Sequence, residues 1–183
     1  MRDQEKSLSK FLSLILRHKP ETIDLFLDEN GWAAVDELIK QANLHNVALT
    51  HNSLDSIVET NDKKRFVFSD DKKRIRANQG HSISVDLQLA EAEPPDLLYH
   101  GTALRNIDSI KAQGLLKAKR HHVHLSTDRK AAKNVGSRYG KPVVIGVNAK
   151  EMYLSGFTFF RAENGVWLTD HVPSQYLDFE PAN

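Results

Sequence analysis

RFVFSDDKKRIRANQGHSI, residues 65–83, decides how the first half of this chain is read. RFVFS alternates its side chains as a strand does, SDDKK has turn chemistry, and RIRA (74–77) returns as a second strand, so a β-hairpin is expected. In an extended strand Arg74 and Arg76 share one face and Ile75 takes the other. Beyond Ala77 the character changes to Asn78, Gln79, Gly80, His81 and Ser82. These residues supply donors for phosphate, base edges and ribose hydroxyls, and a glycine that permits close backbone approach or positive φ. A polar loop closing a hairpin is one reading and nucleic-acid contact the other. With no packing reason for so many specific donors, the second is preferred.

Upstream, Leu8, Phe11, Leu12, Ile15 and Leu16 recur at the spacing of one helical face, with Ser7 as the expected N-cap and Pro20 as the stop. Arg17 and His18 then fall at the helix C-terminal end. There they either stabilise the last turn against the helix dipole or offer a guanidinium fork and an imidazole to one anion. A second helix is expected through Val35, Leu38, Ile39 and Ala42, and a third around Leu54, Ile57 and Val58 with Asn52 as its cap. Three helices followed by a hairpin is the order of a winged-helix module, an architecture that often binds nucleic acid without by itself establishing that role.

Composition bounds the partners. The chain has 183 residues, a formal net charge of +1, 40% hydrophobic and 27% charged residues, and no cysteine. Disulfides, thiolate metal sites and cysteine nucleophiles are thereby excluded, and a reducing cytoplasm is the expected location. No apolar run reaches membrane-spanning length, and MRDQEKSLSK lacks the apolar core of a signal peptide. A global electrostatic argument for nucleic acid is not available. Locally, Lys63, Lys64, Arg65, Lys72, Lys73, Arg74 and Arg76 outweigh Asp70 and Asp71, a run that on charge alone reads as a solvated face.

Downstream, EAEPP (91–95) reads as a short stiff linker. The expected domains are residues 1–92 and 93–183. The second half reads as α+β and strand-rich. LLYH, HVHLS, PVVIGVNA, FTFFRA and GVWLT are expected strands; LRNIDSIKAQGL is a helix ended by Gly114, and DRKAAKNVGSRYG a helix ended by Gly140. Two lobes with a cleft between them are expected, and such interfaces commonly hold ligands.

Three further constellations stand out there. In YHGT, His100 ends a strand and is followed by Gly101 and Thr102, which suits close backbone approach to a phosphate or ribose. In KRHHVHLS, His122 and His124 share a strand face, a spacing that metal ligands also use. Lys117, Lys119 and Arg120 beside them disfavour a cation, so anion or nucleotide recognition is the preferred reading. AENGVWLT carries the turn dipeptide Asn164-Gly165 before Trp167 and reads as a plain hairpin. Arginines and histidines fill the marked positions, while no serine with a relay and no paired catalytic carboxylates appear. That inventory suits holding phosphates and stabilising negative charge in a transition state.

The motifs LSKFLSLILRHKP, DENGW, KRFVFS, RIRANQGHS, LYHGT, RHHVHLS, GKPVVI and ENGVWLT, in this order from about Leu8 to Leu177, resemble the RNA 2'-phosphotransferase family. The resemblance implies an N-terminal winged-helix, RNA-binding lobe and a C-terminal lobe of the ADP-ribosyltransferase fold. It implies NAD consumed as a substrate, no metal, and an RNA (tRNA-like) partner carrying an internal 2'-phosphate, as in tRNA splicing or RNA repair. The 2'-phosphate would attack the nicotinamide riboside and expel nicotinamide. The adjacent ribose hydroxyl would then displace the RNA, leaving ADP-ribose 1'',2''-cyclic phosphate. By motif, the catalytic set carries over to Arg17, His18, Arg76 and Arg120. NAD contacts fall to His100, Gly101, Thr102, His124 and Ser126, and flanking RNA contacts to Asn78, Gln79, Gly80, His81 and Ser82. Arg74 is reduced to a steering or solvated charge, and a monomer is expected. Two rivals remain: an ADP-ribosyltransferase acting on terminal phosphates of nucleic acids, and a catalytically degenerate winged-helix RNA-binding protein.

Overall fold

Apolar periodicity places a buried face on the first helix of the protein, α1 (Arg2–Arg17), where Leu8, Leu12, Ile15 and Leu16 are all enclosed. The structure, a computed structural model, describes residues 2–61 and 63–179, with side chains from residue 4 onward. It is mixed helix and sheet, an α+β chain, that divides into two compact units, Met1–Gln88 and Leu89–Asn183. Among the described residues no helix is long and apolar enough to cross a membrane.

In the first unit α1 begins upstream of Ser7, which is an exposed residue of the helix rather than its cap. The segment from residue 2 to residue 6, RDQEK, is rich in helix formers and continues the helix backwards. Its end is where Pro20 demands it: His18 and Lys19 both donate their backbone N–H to Leu14 O, and Pro20 opens a 3-10 turn, Pro20–Ile23. The two-residue strand β1 (Ala33–Ala34) leads into α2 (Val35–Leu44), which buries Val35, Leu38 and Ala42. Helix α3 (His51–Thr60) starts one residue before the expected cap Asn52. Thr50 is the cap instead, because its hydroxyl accepts from Ser53 N while Ser53 Oγ accepts from Thr50 N, a reciprocal capping box.

The expected hairpin is present as β2 (Phe66–Phe68) and β3 (Arg74–Ala77), antiparallel, with Val67 opposite Arg76 and Phe68 opposite Ile75. β1 joins on the other side to give the order β1-β3-β2, with Ala33 opposite Ile75. Ile75 and Ala77 are fully buried in the helix-sheet core, so the alternation leaves Arg74 and Arg76 on the other face.

The second unit is anchored by β4 (Leu97–Ala103), longer than the expected LLYH. A 3-10 turn, Leu104–Asn106, follows it, then α4 (Ile107–Gln113), which ends at Gly114 with φ of +76°. After β5 (Leu115–Leu116) and β6 (Val123–Leu125) comes α5 (Arg129–Gly136), capped by the Asp128 carboxylate on Lys130 N. α5 stops at Gly136, not Gly140, with Ser137–Tyr139 continuing as a turn. β7 (Pro142–Asn148) runs antiparallel to β4 along seven paired residues. The remaining elements are α6 (Ala149–Leu154), β8 (Phe159–Arg161), β9 (Trp167–Thr169), β10 (His171–Val172), a 3-10 turn Ser174–Tyr176 and β11 (Leu177–Asp178). They complete the sheets β11-β7-β4, β6-β9-β8 and β10-β5. Paired hydrogen bonds between Tyr99 and Ser126 stitch β4 to the end of β6. The core of this unit gathers Leu98, Ile145, Val147, Met152, Phe159 and Val172.

The chain passes from one unit to the other just upstream of EAEPP. Asp86 N donates to Glu29 O and Asn30 Nδ2 to Asp86 O, both within the first unit. Glu91 and Ala92 already pair with Phe160 and Phe159 of β8, so the start of EAEPP is bridged to a strand of the second unit.

Candidate functional site

Within the first unit the C-terminal end of α1 and the loop after β3 fold against each other. Ser82 N donates to Arg17 O at 2.9 Å, and His18 Nδ1 lies in a hydrogen bond with Ser82 Oγ at 2.9 Å. One loop serine thus holds both residues of the Arg-His pair, one through its backbone and the other through its hydroxyl. Gly80 has φ of +87°, and a Cβ built on it would lie 3.6 Å from Arg17 Nη1, so the loop passes close over the guanidinium. Arg17 Nη2 also donates to Arg65 O at 3.4 Å, and its guanidinium sits 5.9 Å from the centre of the Phe66 ring. Arg17, His18, Gly80 and Ser82 therefore form one contact set.

Arg76 belongs to a second set, on the sheet. Its guanidinium carbon lies 4.5 Å from the centre of the Trp32 ring, and that of Arg74 lies 5.2 Å from it. Arg74 also pairs with Asp28 at 3.7 Å, so it is held in place by an aromatic face and a carboxylate rather than only solvated. Asp28 Oδ1 in turn accepts from Asn30 N and Trp32 N, folding DENGW into a turn that presents the indole. Sequence reasoning passed over Trp32. The signal was present as an Asx turn ahead of a tryptophan, but its partners lie more than forty residues on and become visible only through the β1–β3 pairing. Among the described residues, Arg76 Nε is buried without a hydrogen-bond partner. A charged donor left so is costly and asks for an anion.

Asn78 and His81 are 6% and 2% exposed. Asn78 donates its amide to Lys64 O at 2.5 Å and its backbone N–H to Arg65 O, so its side chain fastens the loop to the start of β2. His81 packs by Gly31, 3.4 Å from where a Cβ there would stand. Gln79 and Gly80 are half-buried, and Ser82 is exposed.

In the second unit the marked residues line β4 and β6. His100 donates Nδ1–H to His124 O at 3.1 Å, because a carbonyl can only accept. Burial, with a smaller contribution from the nearby Arg120 charge, holds the His100 pKa below its ordinary value, against the pull of that carbonyl. A lowered pKa favours the neutral ring, with the proton on Nδ1 and Nε2 as an acceptor. Arg120 Nη1 donates to His124 Nδ1 at 3.4 Å, so Arg120, His124 and His100 form a chain of contacts. His122 packs edge-on to Phe160, and burial lowers its pKa too. No group of three or more His, Asp or Glu side chains placed to hold a metal occurs among the described residues.

Gly101 has a packing reason to be glycine. A Cβ there would lie 1.7 Å from Ala132 O, and one on Gly136 would lie 2.6 Å from Thr102 O. β4 and α5 therefore touch backbone to backbone, and Gly101 is required by the helix behind it. Thr102 is buried, its Oγ1 accepting from Asn106 Nδ2. Ser126 supplies the β4 bridge through its backbone and caps Asp128 N with its hydroxyl.

Fold and marked side chains together define an α+β protein without cysteine whose conspicuous groups are arginines and histidines suited to phosphate. Residues 3–171 match the family described as RNA 2'-phosphotransferase, Tpt1 / KptA family. A "Probable RNA 2'-phosphotransferase" of Flavobacterium johnsoniae is 55% identical over 175 residues, spanning 96% of each chain. Those of Acaryochloris marina (55% over 177 residues; 97% of this chain, 98% of the other) and Escherichia coli (53% over 177 residues; 95% and 91%) carry the same description. The chain belongs to the RNA 2'-phosphotransferase family: it is a transferase that acts on a 2'-phosphate of RNA.

Proposed function

We propose that the protein removes an internal 2'-phosphate from RNA at the expense of NAD+, with a winged-helix first unit that engages RNA and a second unit of the ADP-ribosyltransferase type that engages NAD+. In the first step a 2'-phosphate oxygen attacks C1'' of the nicotinamide riboside, the C–N bond breaks, and nicotinamide leaves. In the second step the ribose 2''-hydroxyl loses its proton and attacks phosphorus. The RNA 2'-oxygen departs and is protonated, giving RNA with a 2'-hydroxyl and ADP-ribose 1'',2''-cyclic phosphate.

Neither step asks for a protein nucleophile. Both ask for fixed positive charge around a phosphate and for in-line placement. Arg17, His18 and Arg76 hold the RNA phosphate, and Arg120 stabilises the charge that builds during the second step. His100 meets NAD+ as a neutral acceptor. The observation that carries this reading is Arg76, a guanidinium steadied on Trp32 with a buried donor that nothing among the described residues accepts.

The test is a short RNA with one internal 2'-phosphate, incubated with NAD+. Release of nicotinamide, a free 2'-hydroxyl and the cyclic ADP-ribose phosphate is expected. A stable ADP-ribose adduct formed only on 5'-phosphorylated RNA overturns the reading in favour of terminal-phosphate modification. No nicotinamide release with any phosphorylated RNA leaves an RNA-binding protein without this chemistry.

A further inference from the structure

Lys6, Lys10 and Leu14 follow one another at i, i+4 along α1, His18 continues the series one residue past its end, and all four are exposed. They form a stripe along the helix, away from the buried face of Leu8, Leu12, Ile15 and Leu16. The stripe borders a groove of about 710 Å³ whose lining also includes Lys63 and Arg65, from the segment between α3 and β2. Among the described residues, four Lys or Arg side chains line this groove against one carboxylate, Glu5, which already accepts from Ser56 Oγ. Like charges at i, i+4 cost a helix a few tenths of a kcal/mol. Neither Lys6 nor Lys10 has an ion-pair partner among the described residues to offset that cost.

We propose that this groove is a track for the single-stranded RNA that flanks the 2'-phosphorylated nucleotide. The proposal rests on the preceding functional reading, because His18, one of the residues given to the 2'-phosphate there, stands at one end of the stripe. From His18 back to Lys6 the helix rises about 18 Å, room for about five nucleotides at the stacked spacing of one strand. Lys6 and Lys10 on one wall and Lys63 and Arg65 on the other meet backbone phosphates. Leu14, an apolar residue 40% exposed amid charged ones, offers a ribose or base an apolar contact. No aromatic or carboxamide reader of base edges is needed for this contact, so the track holds RNA without regard to sequence.

The experiment compares the native chain with the Lys6→Ala/Lys10→Ala double variant on two substrates, a 2'-phosphorylated dinucleotide and a longer single strand with an internal 2'-phosphate. Lys40→Ala, on α2, serves as the control for loss of an exposed lysine. On the dinucleotide the double variant keeps native kcat/KM. On the longer strand its affinity at low salt falls about tenfold, and the slope of log K against log salt becomes shallower by about 1.4, two phosphate contacts on a single strand. Native affinity and slope on the longer strand overturn the proposal. So does displacement of that strand by an acidic peptide that binds the native chain tighter than RNA does. If the native chain releases no nicotinamide on either substrate, the functional reading fails separately, and the salt titration of RNA binding still decides the track.

Discussion

Trp32 sits beneath two guanidiniums, and the consequence is specific to one of them. Arg74 has Asp28 as a second anchor, whereas Arg76 has the indole face and a buried, unaccepted Nε. A cation–π contact is worth about 0.5–2 kcal/mol. Trp32→Ala is therefore expected to raise KM for 2'-phosphorylated RNA by about two- to thirtyfold while leaving KM for NAD+ in place, and Trp32→Phe to recover most of the loss. Steady-state kinetics with each substrate varied in turn checks this. Two glycines make a sharper contrast. Gly101→Ala would drive a methyl into a helix carbonyl that cannot rotate away, so a loss of at least about 3 kcal/mol, or failure to fold, is expected. Gly165→Ala has open space around it and only its φ of +80° against it, a cost of about 1 kcal/mol. Thermal melting of the two variants separates the cases.

At the scale of elements, what the sequence made legible follows from how far each signal reaches. The apolar period of α1, α2 and α3 and the alternation of β2 and β3 are written within each segment, and these elements lie where expected. The two-residue strands β1, β5, β10 and β11 carry no pattern of their own and exist only through their partners. α6 has two buried side chains, Ala149 and Met152, too few to announce a helix. Ser7 and Asn52 were expected as caps because their side chains suit the role. The positions were decided by helix formers upstream in one case and by the reciprocal Thr50-Ser53 pair in the other. Thr50→Ala is expected to cost about 1 kcal/mol, read as a lower denaturation midpoint of the first unit. The same logic covers the candidate site. The marked arginines and histidines were legible as residue types, but the reason for Gly101 lies at Ala132 and the support for Arg76 lies at Trp32, and neither is local.

The whole molecule has two separate cores, one holding Leu12 and Ile75 and the other Ile145 and Phe159. The second unit carries two histidines that make it sensitive to mild acid. His100 and His122, both in the second unit, have pKa values lowered chiefly by burial. Above about 6.5 they are neutral folded or unfolded and contribute no pH dependence. As pH falls below 6.5 the unfolded chain takes up protons that the folded unit refuses, so stability of the second unit is lost progressively toward the folded pKa. The Asp170 carboxylate, lowered first by its bond from Lys117, acts in a more acidic window: its stabilisation is present above 3.8 and fades as pH falls further. Calorimetry should show the transition of the second unit moving down as the pH is lowered below about 6.5. The two tryptophans divide the same way, Trp32 in the first unit and Trp167 in the second. Lying under Arg74 and Arg76, the indole of Trp32 is an optical gauge built into the molecule. On the function proposed above, a phosphate arriving at Arg76 would change the field across that ring, so in a Trp167→Phe background the intrinsic emission of the protein is expected to report RNA phosphate binding without any added label.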